Sequence, residues 1–231
     1  MTEHTIRAFG EQLDALTADV ARLGGMAEAE LADAVSAIAR RDVGLAQSVI
    51  DRDPQLDALQ AGVERAAIRL IGIHQPMAQD LRRAVAAMKI AADLERCGDL
   101  AKNIAKRAIV LAEEEPITPL TRPIERMGRL VADRLRDVLD AFASGDVGRA
   151  ISVWSRDEEV DEHYDSLFRE HLTYMMGDPR MITACAHLLF VAKNLERIGD
   201  HCTNIAEEIH FLVTGEQLPV ERPKVDALNR T

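Results

Sequence analysis

The sequence predicts an all-α protein made of two tandem three-helix bundles related by internal duplication. Three observations predict it. Apolar residues recur at three- and four-residue steps over long stretches, the spacing of one helix face. Aromatic residues make up only 3% of the chain, and Ala, Leu, Ile and Val carry the apolar content, which favours closely packed helices over strands. Two segments return in order about a hundred residues later.

The duplication fixes the frame for everything else. DVGLAQSVIDRDPQLD, from Asp42 to Asp57, is echoed by DVGRAISVWSRDEEVD, from Asp146 to Asp161, with nine of sixteen positions identical. DLERCGDLAKNIA, from Asp93 to Ala105, returns as NLERIGDHCTNIA, from Asn194 to Ala206, with eight of thirteen identical. The offsets are 104 and 101 residues, so one domain has been copied whole.

Punctuation divides each copy into three helices. The first is expected from Thr5 to Arg40, the second from Val43 to Ile73 with Asp42 as its N-cap, and the third from Met77 to Glu114 with Pro76 in its first turn. Glu115-Pro116 and Thr118-Pro119 mark a linker, which puts the first bundle at residues 1–115. The second bundle, 116–214, repeats the plan with helices from Leu120 to Ala143, Val147 to Met176 and Pro179 to Thr214. Residues 215–231 are polar and hold Pro219 and Pro223, so they are expected to form a flexible tail. Pro54 lies inside the second helix where its counterpart is Glu158, and a kink without a break is expected there.

The apolar stripes explain how such long helices hold together. Leu188, Val191, Leu195, Ile198, Cys202, Ile205, Ile209 and Leu212 form one continuous stripe in the last helix. Leu94, Cys97, Ala101, Ile104 and Ala108 do the same in the third, and Gly98 and Gly199 are expected to let neighbouring helices approach closely.

Composition narrows the function classes. With 47% hydrophobic and 29% charged residues, the 231-residue chain can bury a real core. Its formal net charge of -11 argues against nucleic acid as a partner and suits a cation or a basic protein surface. No stretch approaches the roughly 18 apolar residues of a membrane span, and the opening residues lack a secretory apolar run, so a cytoplasmic protein is expected. Cys97, Cys185 and Cys202 lack CxxC spacing and are expected to be reduced and buried.

Four acidic pairs stand out, each spaced by four: Asp53 and Asp57, Glu95 and Asp99, Asp157 and Asp161, Glu196 and Asp200. Like charges so spaced disfavour a helix by about 0.2 to 0.5 kcal/mol per pair, so their recurrence invites an explanation. Glu95, Asp99, Glu196 and Asp200 point more than roughly 90° away from their apolar stripes, and the other four fall at a stripe edge. A bound cation is one explanation; a solvated acidic face compensated by Arg52, Arg96, Lys102, Lys106, Arg156 and Arg197 is the other. Hard oxygen ligands, with Asn103 and Asn204 one turn on, suit magnesium, calcium, manganese or oxidised iron. His163 and His201 could add a nitrogen in the second copy, where Leu100 replaces His201 in the first. Only one convincing ExxH spacing, Glu207 to His210, is present, against the two of ferritin-like dimetal enzymes.

These motifs resemble those of the PhoU family, the phosphate-specific transport system accessory proteins. The resemblance spans nearly the whole chain and rests on QPMAQDLR, from Gln75 to Arg82, on the two copies of LERxGDxxxNIA, and on the acidic spacing. It implies paired three-helix bundles, commonly a homodimer, with metal ions at Asp53, Asp57, Glu95, Asp99, Asp157, Asp161, Glu196 and Asp200. Iron, manganese, magnesium and zinc are the implied occupants. It also implies a non-enzymatic negative regulator of the phosphate-starvation response, linking the ATPase of a phosphate ABC transporter to a sensor histidine kinase. The competing readings are a carboxylate-bridged metalloenzyme and a plain helical scaffold. Pro54, and Asn194 in place of Asp93, depart from strict symmetry between the copies.

Overall fold

The computed structural model describes residues 3–114 and 118–219, and all the regular structure in them is helical. The helices are α1 (Glu3–Arg40), α2 (Val43–His74), α3 (Ala78–Glu113), α4 (Thr118–Ser144), α5 (Val147–Ser155), α6 (Glu158–Gly177) and α7 (Ile182–Thr214). Asp42 and Asp146 cap equivalent starts, their carboxylates accepting from the amides of Leu45 and Arg149. Gln75 takes a left-handed conformation, with φ 46°, and its amide closes the end of α2 onto the Ile71 carbonyl.

The expected boundaries hold to within a few residues, with three corrections. Pro76 lies before α3 and not in its first turn, because the helix starts at Ala78. Pro179–Met181 is a 3-10 turn capped by Asp178, and α7 proper starts at Ile182. The largest correction concerns the single helix expected from Val147 to Met176, which is two helices, α5 and α6, divided at Arg156 and Asp157. The interruption therefore falls in the copy without a proline, while α2 runs through Pro54. The cause is tertiary. Arg134 of α4 donates to the Arg156 carbonyl, and the amides of Glu159 and Val160 close 3-10-type bonds onto Arg156 and Asp157, at 3.3 and 3.2 Å. In the first copy Glu30 stands where Arg134 does and carries no guanidinium to reach the backbone of the neighbouring helix.

Each copy closes a bundle: α1, α2 and α3 pack on one another, as do α4, α5, α6 and α7. The bundles lie side by side through α3 against α7 and α1 against α4. Their buried apolar side chains form one continuous cluster, from Leu13, Leu23 and Leu31 in α1 to Leu188, Ile198 and Ile209 in α7. Truncating one such leucine to alanine costs about 2–5 kcal/mol.

The α1/α4 contact carries a pseudo-twofold symmetry in its detail. Gly24 receives the Leu139 side chain, and Gly128, its counterpart 104 residues on, receives Val35, the counterpart of Leu139. A Cβ at Gly128 would lie 2.7 Å from both Val35 methyls, so each glycine is a socket for the other bundle's branched side chain. At α3/α7 the same operation maps different chemistries onto each other. Lys89 pairs with Glu208 at 2.7 Å, and in the equivalent place the guanidinium of Arg107 lies 4.7 Å from the centre of the Phe190 ring.

Cys97, Cys185 and Cys202 are buried free thiols, and burial pushes Cys202 up to about 12. The linker at 115–117 and most of the tail, 220–231, lie outside the described residues. Of the tail's first residues, Leu218 packs against the core and the Glu216 carbonyl sits 2.9 Å from His210 Nδ1. No helix among the described residues is long and apolar enough to cross a membrane.

Candidate metal centre at the acidic motifs

Helical spacing brings the acidic pairs together as the repeat implies. In the first bundle α2 supplies Asp53 and Asp57, and the adjacent α3 supplies Glu95 and Asp99. Asp53 is buried, 3% exposed, whereas Glu95 and Asp99 are partly exposed and Asp57 is exposed. The group at the centre is a lysine. Lys102 Nζ lies 2.7 Å from Asp53 Oδ2 and 2.6 Å from Asp99 Oδ1, bridging α2 to α3. Arg96 covers the outer side, 3.4 Å from Glu95 and 3.3 Å from Asp99.

Beneath these lies a residue the motif does not contain. Glu30 of α1 is 2% exposed, and neither of its carboxylate oxygens has a hydrogen-bond partner; Asp53 Oδ1 is likewise without one. Burial, and then the charge of Asp53, push the Glu30 carboxyl up to about 7. Burial and the neighbouring Asp53 raise Asp57, and burial followed by Asp99 raises Glu95, against the lowering effect of Arg96. Burial acts against the charge of Lys102, but its hydrogen bonds to Asp53 and Asp99 outweigh this and its ammonium is held above the ordinary lysine range.

The second bundle solves the same electrostatic problem with different residues. Asp157 is buried at the start of α6, Asp161 and Asp200 are exposed, and Glu196 is half-buried on α7. Thr203 stands at the position of Lys102 and donates to Asp157 Oδ1 at 3.0 Å. The buried cation comes instead from α4: Arg134, at the position of Glu30, lies 3.9 Å from Asp157 and 3.3 Å from Glu159. Burial lowers its pKa. Asp161 and Asp200 are both raised, by burial first and then by Glu196. Lys193 Nζ sits 2.6 Å from Glu196 Oε2.

The donor chemistry, hard carboxylate oxygens with two buried and incompletely partnered carboxylates in the first half, fits a hard cation. As placed, no three His, Cys, Asp or Glu side chains among the described residues converge on one point. In the first half Lys102 fills the gap between Asp53 and Asp99, so a metal ion there requires the ammonium to leave.

The other candidates are engaged elsewhere. His201 Nδ1 donates to Asp93 Oδ1 at 2.8 Å and Asn204 to the same oxygen at 3.3 Å, joining α7 to α3 across the two bundles. His163 contacts the Glu159 carbonyl one turn back, at 2.8 Å. Of the ExxH spacing, Glu207 accepts from the Trp154 indole at 3.0 Å and His210 faces the tail. Lys102 entered the sequence reading only as a compensating surface charge; Glu30 and Arg134 were missed. Their signal was available: both interrupt an apolar stripe at equivalent positions of the repeat, with opposite charge.

Comparison with known proteins follows the same twofold division. The family model described as PhoU domain matches twice, over residues 20–108 and 124–209. The phosphate-specific transport system accessory protein PhoU homolog of Caulobacter vibrioides (strain NA1000 / CB15N) is 65% identical over 230 residues, covering 100% of both chains. The Escherichia coli (strain K12) phosphate-specific transport system accessory protein PhoU is 37% identical over 216 residues, 94% of this chain and 89% of its own length. The crystal structure of PhoU from Pseudomonas aeruginosa aligns with a TM-score of 0.84 at 38% identity, covering 90% of this chain and 100% of that one. The phosphate transport system regulatory protein PhoU from Streptococcus pneumoniae gives 0.84 at 30% identity, over 92% of this chain and 100% of that one.

Proposed function

The chain belongs to the PhoU family, and from that premise we propose that it is a regulatory adaptor of phosphate uptake and phosphate-starvation signalling. In this reading it is a negative regulator on the cytoplasmic side of the membrane, acting as a homodimer. It links the ATPase of a phosphate ABC transporter to a sensor histidine kinase when phosphate is plentiful, and its acidic motifs hold metal ions such as iron, manganese, magnesium or zinc. It is not an enzyme.

One observation carries this reading: end-to-end identity of 65% with a protein named as an accessory of phosphate-specific transport. The long parallel faces of two fused bundles supply extended, rigid surfaces suited to helix-in-groove or surface docking by partner proteins. The metal component is supported by the hard-oxygen donor set and by the raised carboxyls of Asp161 and Asp200, each pushed up by burial and then by the charge of Glu196, a repulsion that a cation would relieve.

Affinity capture of the intact protein from cells grown with and without phosphate tests the adaptor role. Enrichment of the transporter ATPase and of a histidine kinase in the phosphate-replete sample is expected; capture of neither in either sample refutes it. For the metal component, the combined Glu95→Gln, Asp99→Asn, Glu196→Gln, Asp200→Asn protein should lose bound metal while keeping its helicity. Metal retained at full stoichiometry would overturn that component.

A further inference from the structure

The duplication placed the same four carboxylates in both bundles, but the charges buried beneath them differ. In the second bundle the buried set is Arg134, Asp157 and Thr203, one positive and one negative group. In the first, the same positions hold Glu30, Asp53 and Lys102: two carboxyls and one ammonium, with Lys102 only 19% exposed at its side chain. Lys102 Nζ touches Asp53 and Asp99 together, at 2.7 and 2.6 Å, one carboxylate from each of the two acidic pairs. A cation shared by the two pairs would occupy that place. Thr203, with a hydroxyl spent on Asp157, puts no ammonium there in the second bundle, where Arg134 lies 3.9 Å from Asp157.

We propose that Lys102 is the first bundle's own cation, its ammonium standing where a metal ion would bridge the two acidic pairs, so that metal loading falls on the second bundle alone. The proposal rests on the metal-binding reading above and refines it. A strongly hydrated divalent ion must strip off water and displace an ammonium already held by two charge-assisted hydrogen bonds, in a site where Arg52 and that ammonium together compensate the charge of Glu30. In the second bundle the only ammonium among these contacts, Lys193, lies outside on Glu196 and over the Tyr164 ring and is 49% exposed, so a metal ion competes with a solvated group and not with an enclosed one.

Titration of the unmodified protein with Mn2+, read by paramagnetic broadening of backbone amide resonances, locates the ion directly. Broadening that is strongest around Asp161, Glu196 and Asp200 and falls off with distance towards Asp53 and Asp57 is expected; equal broadening around both sets overturns the proposal. Stoichiometry then tests the lysine. Lys102→Thr, and the nearly isosteric Lys102→Gln should the first not fold, are expected to bind one more Mn2+ per chain than the parent. Lys102→Arg, which keeps the charge, is expected to bind the parent's number. Unchanged stoichiometry in Lys102→Gln overturns the assignment. If the parent binds no Mn2+ at all, the metal component of the proposed function fails, yet a new site in Lys102→Gln still supports the role of the lysine and its absence refutes it.

Discussion

The guanidinium of Arg134, on α4, donates a hydrogen bond to the main-chain carbonyl of Arg156, and the helix that the repeat copies from α2 is interrupted at that residue. The same side chain is the buried counter-charge of Asp157. One residue therefore sets both the backbone path and the electrostatics of the second acidic motif.

Replacing Arg134 by alanine should destabilise the protein by about 3 kcal/mol, because it strips the buried Asp157 of its cation and leaves the Arg156 carbonyl short of a donor. Urea unfolding of the variant against the parent measures the loss. Equal midpoints would show that the guanidinium is dispensable to the fold.

Glu30 makes stability depend on pH in a definite direction. Its folded-state value of about 7 exceeds the ordinary 4.5, so the fold prefers the neutral carboxyl. Its stabilising preference is fully present below pH 4.5, is lost as pH rises through 7, and changes no further above that. Glu30→Gln removes the ionisation. The variant should match the parent near pH 4.5 and exceed it by on the order of 2–3 kcal/mol at pH 8. Denaturant unfolding at the two pH values checks this, and a difference that does not vary with pH would contradict it.

Gly98 and Gly199 occupy equivalent places, but only one of them needs to be glycine. A Cβ at Gly98 would meet Leu56 at 2.8 Å and Glu30 at 3.3 Å, whereas at Gly199 the nearest atom is a Val160 methyl at 3.5 Å, an ordinary contact. Gly98→Ala should cost about 1–2 kcal/mol by overpacking. Gly199→Ala should stabilise by about 0.5–1 kcal/mol through helix propensity. Thermal melts of the two variants should move in opposite directions; a shared direction would rule out this account of the packing.

Asp93 and His201 tie the bundles together with no counterpart in the other copy, where Asn194 and Leu100 stand. A double-mutant cycle on Asp93→Asn and His201→Leu should return a coupling of about 1 kcal/mol, since the pair is mostly enclosed. Additive single effects would show that the contact contributes nothing beyond its separate parts.

Much of this was legible in the residues themselves. Helix identity, the N-cap at Asp42 with its repeat at Asp146, and the duplication follow from period, punctuation and repetition, all local properties of the chain. The close approach expected at both motif glycines was right for Gly98 and not required at Gly199. α2 runs through Pro54 without a break, as those local rules expect, whereas the interruption in the other copy is tertiary in origin.

The sequence alone determined that two copies of one helical unit would form and that each would present the same four acids. Only the tertiary structure decided what neutralises them: Lys102 from α3 in the first bundle, where Glu30 is buried without a hydrogen-bond partner, and Arg134 from α4 in the second. The reason is physical. Helical periodicity is set by neighbours three and four residues apart, whereas the energy of a buried charge is set by whichever group from another helix shares its low-dielectric surroundings, and no local pattern records that choice.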